Sequence, residues 1–158
     1  MPEFETSVQV DCGPEQAFDF LIRPANHLKI SPPNIDLHFI DPPEILSRGD
    51  RLEFKVQAWG HVQHIIHEIT AVDRLRSYAE RQVQGPFKLW VHEHRIETAA
   101  GDGVRIIDRI EFSPPAGLLG LIITSKKILH MLDEGFEHRH DQLKKLLESA
   151  PSAPAAGG

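Results

Sequence analysis

The chain has 158 residues, a formal net charge of −6 at pH 7, and apolar and charged fractions of 41% and 25%, values typical of one globular domain with a buried core. The negative charge argues against nucleic acid or an anionic membrane surface as the main partner. A single cysteine, Cys12, excludes an internal disulfide, and we see neither a secretion leader nor an apolar run long enough to span a bilayer. We therefore expect a cytoplasmic protein without membrane insertion.

The first part of the chain alternates between strand and helix signals. Residues 3–10 alternate apolar and polar side chains, which predicts a strand. A helix that starts near Pro14 and ends at Pro24 follows, and then a short second helix or turn. Short connections of Gly, Pro, Asp and Ala, which suit hairpins, separate six further predicted strands: 35–40, 51–59, 61–72, 77–84, 87–98 and 104–112. The sheet should therefore be antiparallel and strongly bent.

The pattern becomes helical from about residue 117 to residue 149. One stripe of this predicted helix is apolar: Leu121, Ile128, Leu132, Phe136, Leu143 and Leu147. A helix of about thirty residues is roughly 45 Å long, so we expect it to lie across the concave face of the sheet. Gly135 in its middle indicates close packing or space for a ligand. Residues 1–149 are then one domain, and residues 150–158, which contain only Pro, Ala, Ser and Gly, form a disordered tail.

Several motifs accompany this order of elements. They are Gln82 with Gly85-Pro86-Phe87, the run Trp90-x-His92-x-His94-x-Ile96, Asp108, and Pro114-x-x-Gly117-x-x-Gly120. With these residues the chain resembles the START-like, or SRPBCC, superfamily of polyketide cyclase-like and lipid-transfer-like domains. Within it, the chain is similar to a bacterial branch whose strand motif reads Gly-Pro-Phe, Trp and His-x-His.

The resemblance covers nearly all of residues 4–147. It implies an α+β helix-grip fold, in which a curved antiparallel sheet of about seven strands wraps around a long C-terminal helix and two short helices follow the first strand. Because the superfamily includes carriers, sensors and enzymes, the resemblance implies this fold without implying a reaction.

Two predicted hairpin loops, 85–87 and 99–103, fix the pairing of the strands around them. Both registers place the same side chains on one face of the sheet. That face carries two rows, Tyr78–His94–Asp108 and Glu80–His92–Ile110.

This polar face has three interpretations. His94 held by Asp108 can act as the general base of a cofactor-independent cyclase, dehydratase or isomerase. The same groups can anchor the polar end of a ligand while Trp90 stacks on its ring. Alternatively, the imidazoles and carboxylates only satisfy each other's hydrogen bonds in a half-buried sheet.

The favoured interpretation is a protein that binds a hydrophobic small molecule, lipid-like or aromatic, between the sheet and the C-terminal helix, with no cofactor. The residues expected to form the site are Phe54, Val56, Gln82, Trp90, His92, His94, Ile106, Asp108, Ile110, Leu132 and Phe136. Trp59 is expected at its rim. A protein-interaction accessory domain is a further alternative, and it predicts a collapsed cavity together with an exposed apolar patch.

The ten histidines raise the question of a metal ion. His92 and His94, two residues apart on one strand face, are compatible with a shared ion. His61, His64 and His67 alternate between the faces of a strand and cannot converge. Because no paired Cys or His-Glu-x-x-His motif is present, the sequence predicts no metal site.

Overall fold

The computed structural model describes residues 2–149, so the predicted tail at 150–158 lies outside the described residues. The elements, in chain order, are β1 (Glu3–Val10), α1 (Pro14–Leu21), α2 (Pro24–Ile30), a single 3-10 turn (Pro33–Ile35), β2 (His38–Ile40), β3 (Arg51–Ala58), β4 (His61–Asp73), β5 (Ser77–Gln84), β6 (Leu89–Thr98), β7 (Val104–Ser113), α3 (Gly117–Ile122) and α4 (Ser125–Glu148).

The strands form one antiparallel sheet in the order β1-β7-β6-β5-β4-β3-β2. From β2 to β7, consecutive strands are neighbours, as short hairpin connections require. Only β1 pairs with a strand distant in sequence, and Glu3 lies opposite Glu111. Seven antiparallel strands with a long C-terminal helix confirm the predicted α+β helix-grip fold.

The predicted pairing around the polar face is confirmed. Tyr78 lies opposite His94 and Glu80 opposite His92, and His94 lies opposite Asp108 on the other side. By contrast, β4 has two register shifts, between Ile66 and His67 and between Ile69 and Ala71. Such irregularities bend a strand.

The prediction of one continuous C-terminal helix is wrong in one respect, because the segment forms two helices. Ile123 leaves the helical conformation, and the Thr124 side chain then caps α4 by accepting a hydrogen bond from the Lys127 backbone N–H at 3.3 Å. With 24 residues, α4 is about 36 Å long. Leu121 belongs to α3 and is 76% exposed, so its predicted place on the buried stripe is also wrong.

The strand predicted at 35–40 is shorter than expected. Pro33–Ile35 form the 3-10 turn, and Asp36 adopts a left-handed conformation with φ 45°. A left-handed residue interrupts an extended strand, and β2 is therefore limited to three residues.

The core consists of two apolar clusters separated by polar side chains. One cluster lies under α1 and α2 and includes Leu21, Ile30 and Ile106. The other lies under the first half of α4 and includes Ile110 and Phe136. Because the side chains of a strand alternate between faces, the polar residues between these positions point into the same interior.

α4 buries the rest of its predicted stripe: Ile128, Leu132, Phe136, Leu143 and Leu147. The ring of Phe136 packs on Phe4 of β1, with centroids 5.3 Å apart. A methyl group added at Gly135 would lie 3.8 Å from Pro32 Cγ, an ordinary contact distance. Within residues 2–149, no helix combines the length and the apolar character that crossing a bilayer requires.

Candidate functional site

A cavity of about 570 Å³ lies between α4 and the β3–β6 part of the sheet. Five of the side chains predicted for the site line it: Phe54, Val56, Gln82, Trp90 and Leu132. Trp59, expected at the rim, lines it as well. The residues that sequence reasoning missed include Ile35, Ile65, His67, Phe87 and Met131.

The other six predicted residues are outside the lining of this cavity: His92, His94, Ile106, Asp108, Ile110 and Phe136. The reason is the position of α4. Phe136 contacts Phe4 and faces the ring of His92 with centroids 6.0 Å apart, so the middle of α4 fills the space over β6 and β7. The open volume is displaced toward the β3–β4 hairpin.

Three aromatic rings form one wall of the cavity. The ring centroid of Phe87 lies 5.8 Å from that of Trp59 and 4.7 Å from that of Trp90. Trp59 adopts φ 53° in the turn between β3 and β4, a conformation that is rare for a bulky side chain and is kept only where surrounding contacts enforce it. The turn therefore holds the Trp59 ring against Phe87.

The Gly-Pro-Phe loop is built around Gln82. Its Nε2 donates a hydrogen bond to the Phe87 carbonyl oxygen at 2.7 Å. A Cβ atom at Gly85 would collide with the Gln82 side chain, so a larger residue at this position would displace Gln82 from its bond to Phe87. This contact explains why the motif combines Gln82 with Gly85 and Phe87.

An imidazole–carboxylate cluster, formed by Glu80, His92, His94 and Asp108, lies beside the inner end of the cavity. His92 Nε2–H donates to Asp108 Oδ1 at 2.8 Å, and His94 Nδ1 lies 3.0 Å from the same oxygen. Glu80 Oε1 lies 3.3 Å from His94 Nε2. Its other oxygen lies 3.4 Å from Nδ1 of the cavity residue His67. The cluster thus bridges the sheet core and the cavity.

Aromatic stacking keeps the imidazoles in place. The His94 ring is stacked between Tyr78 and His92, with centroid separations of 4.1 Å and 3.7 Å. His94 is 2% exposed and Asp108 is fully buried, so these two predicted catalytic residues contact protein groups on all sides.

The buried carboxylates remain ionised. Burial alone would raise the pKa of Asp108, but the Arg139 guanidinium and the hydrogen bond from His92 hold it well below its usual range. For Glu80, burial is likewise outweighed, by the adjacent imidazoles of His67 and His94, and its pKa is also lowered.

The histidines of the cluster shift in opposite directions. Burial and the neighbouring His94 lower the pKa of His92 to about 4. Burial also opposes protonation of His94, but its bonds to Asp108 and Glu80 prevail and raise its pKa. A proton in this cluster is therefore favoured on His94, which lies between the two carboxylates, rather than on His92.

Arg139 is a site residue that the sequence prediction missed. It reaches from α4 to the sheet, with Nη2 3.7 Å from Asp108 Oδ1 and Cζ 5.5 Å from the centroid of the Phe136 ring. A signal was present in the sequence, because position 139 follows Phe136 by three residues and continues the buried stripe of α4. A charged residue on such a stripe indicates a buried partner of opposite charge.

His27 on α2 extends the polar region to the other side of Tyr78. Its Nε2–H donates to the Leu21 carbonyl oxygen at 2.7 Å, and the Tyr78 hydroxyl donates to the same oxygen at 3.2 Å. Burial and the charge of Arg139 lower the pKa of His27 to about 4, although the bond to Leu21 opposes this shift.

The shift of His27 has a measurable effect on stability. A histidine with a pKa of about 4 when folded and about 6.5 when unfolded takes up its proton first in the unfolded state, so its contribution is complete above pH 6.5 and is lost as the pH falls toward 4. The unfolding free energy of the wild type should fall between pH 7 and pH 5. In His27→Gln we expect the fall to be smaller by about 2 kcal/mol. Urea denaturation at both pH values measures this difference.

The matched control is His38→Gln, since His38 is 69% exposed. The control should keep the pH dependence of the wild type. Equal pH dependence in all three proteins would contradict a half-buried His27 that resists protonation.

The sequence profile of a family described as a domain of unknown function (DUF8410) matches residues 56–147. None of the curated proteins matches the sequence. Among solved structures, the Zhui aromatase/cyclase from Streptomyces sp. R1128 is similar with a TM-score of 0.72 and 18% identity, over 99% of this chain and 98% of that chain. A START superfamily protein from Mycobacterium smegmatis gives a TM-score of 0.69 at 13% identity, over 92% and 97% of the two chains.

A third structure, the protein TTHA0849 from Thermus thermophilus, gives a TM-score of 0.68 at 17% identity, over 94% of this chain and all of that chain. At these identities the similarity establishes the START-like, or SRPBCC, fold.

Proposed function

Because the chain belongs to this family of domains of unknown function, we propose its role from the cavity itself: reversible binding of a hydrophobic, ring-containing small molecule between β3–β6 and α4. The observation that carries the proposal is a cavity of about 570 Å³ that combines an aromatic wall with few polar groups. Its volume lies within the range of about 300–1,000 Å³ that is usual for small-molecule sites.

The shape of the aromatic wall favours a planar ligand. Trp59, Phe87 and Trp90 contact one another in series, and aromatic rings interact favourably with a further ring in offset or edge-to-face geometry. Opposite them, Met131 and Leu132 of α4 provide flexible apolar contacts. The fold shared with a START superfamily protein and an aromatase/cyclase supports this use of the cavity.

The polar end of the cavity favours a ligand with a hydrogen-bond donor. Gln82 Oε1 is buried and has no hydrogen-bond partner among the described residues. Gln82 lines the cavity, as does His67, whose Nδ1 is directed instead at Glu80 Oε2, 3.4 Å away. An unpaired buried acceptor costs about 1–3 kcal/mol, and a hydroxyl group on the ligand would relieve this cost.

Intrinsic fluorescence is a direct test, because the two tryptophans of the chain, Trp59 and Trp90, both line the cavity. We expect 2-naphthol to change their emission saturably and to bind more tightly than naphthalene, which lacks the hydroxyl group. Native mass spectrometry of the freshly purified protein, with organic extraction, should then show the natural ligand as an adduct. No saturable response to either compound up to its solubility limit would contradict the proposal.

Two other interpretations have less support. Acid–base catalysis by His94 and Asp108 requires contact with a substrate, but both side chains are buried and neither lines the cavity. The protein-interaction interpretation expects a collapsed cavity, whereas the cavity is open. The exposed leucines of α3, Leu118 and Leu121, are the feature that agrees with that interpretation.

A further inference from the structure

Three atoms of the imidazole–carboxylate cluster converge beside the cavity. Glu80 Oε1 lies 3.6 Å from His92 Nδ1 and 3.3 Å from His94 Nε2. The ligand atoms that these three residues offer all lie within 4.8 Å of one another. A tetrahedral ion with bonds of about 2.0–2.1 Å holds its ligand atoms about 3.3 Å apart. The spacing of the donor atoms therefore suits one ion, and binding it requires the stacked rings of His92 and His94 to tilt so that both lone pairs point at it.

Asp108 determines which ring nitrogens face Glu80. Its Oδ1 lies 2.8 Å from His92 Nε2 and 3.0 Å from His94 Nδ1, so both of these nitrogens direct an N–H toward it. The remaining nitrogens, Nδ1 of His92 and Nε2 of His94, face Glu80, and in neutral imidazoles they are the nitrogens that carry the lone pairs. A carboxylate that fixes the tautomer of a liganding histidine in this way is a regular companion of zinc sites.

The charges of the cluster favour a cation. Glu80 and Asp108 carry two negative charges, and Arg139 supplies one positive charge at 3.7 Å from Asp108. The two carboxylates outnumber the one guanidinium, so a cation among the imidazoles is favoured. That cation is a proton on His94 or, in its place, a metal ion bound by the imidazole nitrogens and Glu80.

Access to this point comes from the cavity. Glu80 and His92 retain side-chain exposures of 10% and 9%, and each lies two residues along its strand from a cavity-lining residue, Gln82 and Trp90 respectively. His67, a cavity residue with 7% exposure, approaches the site from this side, with its Nδ1 3.4 Å from Glu80 Oε2.

We propose that Glu80, His92 and His94 bind one divalent transition-metal ion of the zinc or iron type at the inner end of the cavity. Two imidazole nitrogens and one carboxylate oxygen are a donor set that such ions prefer. The open coordination position faces His67 and takes water or a polar atom of a bound molecule. The sequence indicated that His92 and His94 are compatible with a shared ion, but it did not indicate the third ligand, Glu80, which comes from the neighbouring strand β5.

Titration of the chelator-treated protein with ZnCl₂ tests the proposal by calorimetry, at pH 8 because protons compete for imidazole nitrogen. CoCl₂ followed by visible absorption reports the ligand geometry. We expect one ion per chain. Loss of a direct ligand should exceed the roughly 10–100-fold effect of removing an outer partner, so Glu80→Gln and His92→Gln should each weaken binding at least about 100-fold. The experiment uses the ion alone, so its result is independent of whether an organic ligand binds.

The matched control is His64→Gln, because His64 and Glu53 form a histidine–carboxylate pair on the exposed face of the sheet. This variant should bind Zn²⁺ as the wild type does. In case a buried variant does not fold, nitrogen NMR of the histidine rings in the wild-type protein gives a second readout, in which His92 and His94 should respond to Zn²⁺. Absence of binding, equal loss in His64→Gln, or a response confined to exposed histidines would overturn the proposal.

Discussion

Replacing Asp108 by asparagine is expected to lower the unfolding free energy by about 3–5 kcal/mol. The side chain is fully buried, accepts a hydrogen bond from His92 at 2.8 Å and faces the Arg139 guanidinium at 3.7 Å. Asparagine preserves the shape but removes the charge, so the guanidinium, which is 12% exposed, loses its compensation. Urea denaturation at pH 7 in the presence of a chelator measures the effect.

A double variant separates the charge from the packing. Arg139→Met removes the unpaired cation, so Asp108→Asn combined with Arg139→Met should be less destabilised than the sum of the two single variants by at least about 1 kcal/mol. Asp133→Asn, at an exposed position of α4, should leave stability unchanged. A loss below about 1 kcal/mol for Asp108→Asn would refute the idea that this carboxylate balances the charge of the core.

The second large effect is expected in ligand binding. Val56→Trp should weaken the binding of 2-naphthol at least about 100-fold, equivalent to roughly 2.7 kcal/mol, because Val56 lines the cavity and an indole at that position occupies the space of the ligand ring. Overpacking of this kind in a partly open cavity should cost less stability than in a closed core. Calorimetric titration measures the affinity.

Lys55→Trp is the matched control, since Lys55 is the preceding residue of β3 and is exposed. It adds the same side chain on the opposite face, because neighbouring residues of a strand alternate between faces. Its affinity should equal that of the wild type. If Val56→Trp also binds normally, the ligand lies outside this cavity.

Local rules were sufficient for the strand pairs of the polar face. Two short hairpin loops fixed the partners of His92 and His94, because a register set by a tight turn extends along the strand. The opposition of His94 to Tyr78 and Asp108 followed directly and is confirmed.

The same local rules could not predict where the helix lies over the sheet. Periodicity predicts which side of α4 is buried. It does not predict that Phe136 lies above Phe4 and His92, because these contacts join segments that are far apart in sequence. That placement excludes Ile106 and Ile110 from the cavity and admits His67 and Phe87. The break before α4 was missed because Ile123 continues the apolar pattern, while the Thr124 cap is a local hydrogen bond that the pattern does not register.

The pairing of β1 with β7 affects how the chain reaches this structure. Hairpins between consecutive strands close short loops, whereas Glu3 finds Glu111 only after nearly the whole sheet-forming sequence is present, and such distant contacts form slowly. We therefore expect β1 to join last. Until it does, β7 presents an unpaired edge that contains Ile106, Ile107 and Ile110, and an apolar edge of this kind recruits other chains. We therefore expect the N-terminal strand, with charged Glu3 and Glu5 on its outer face, to protect this edge from aggregation.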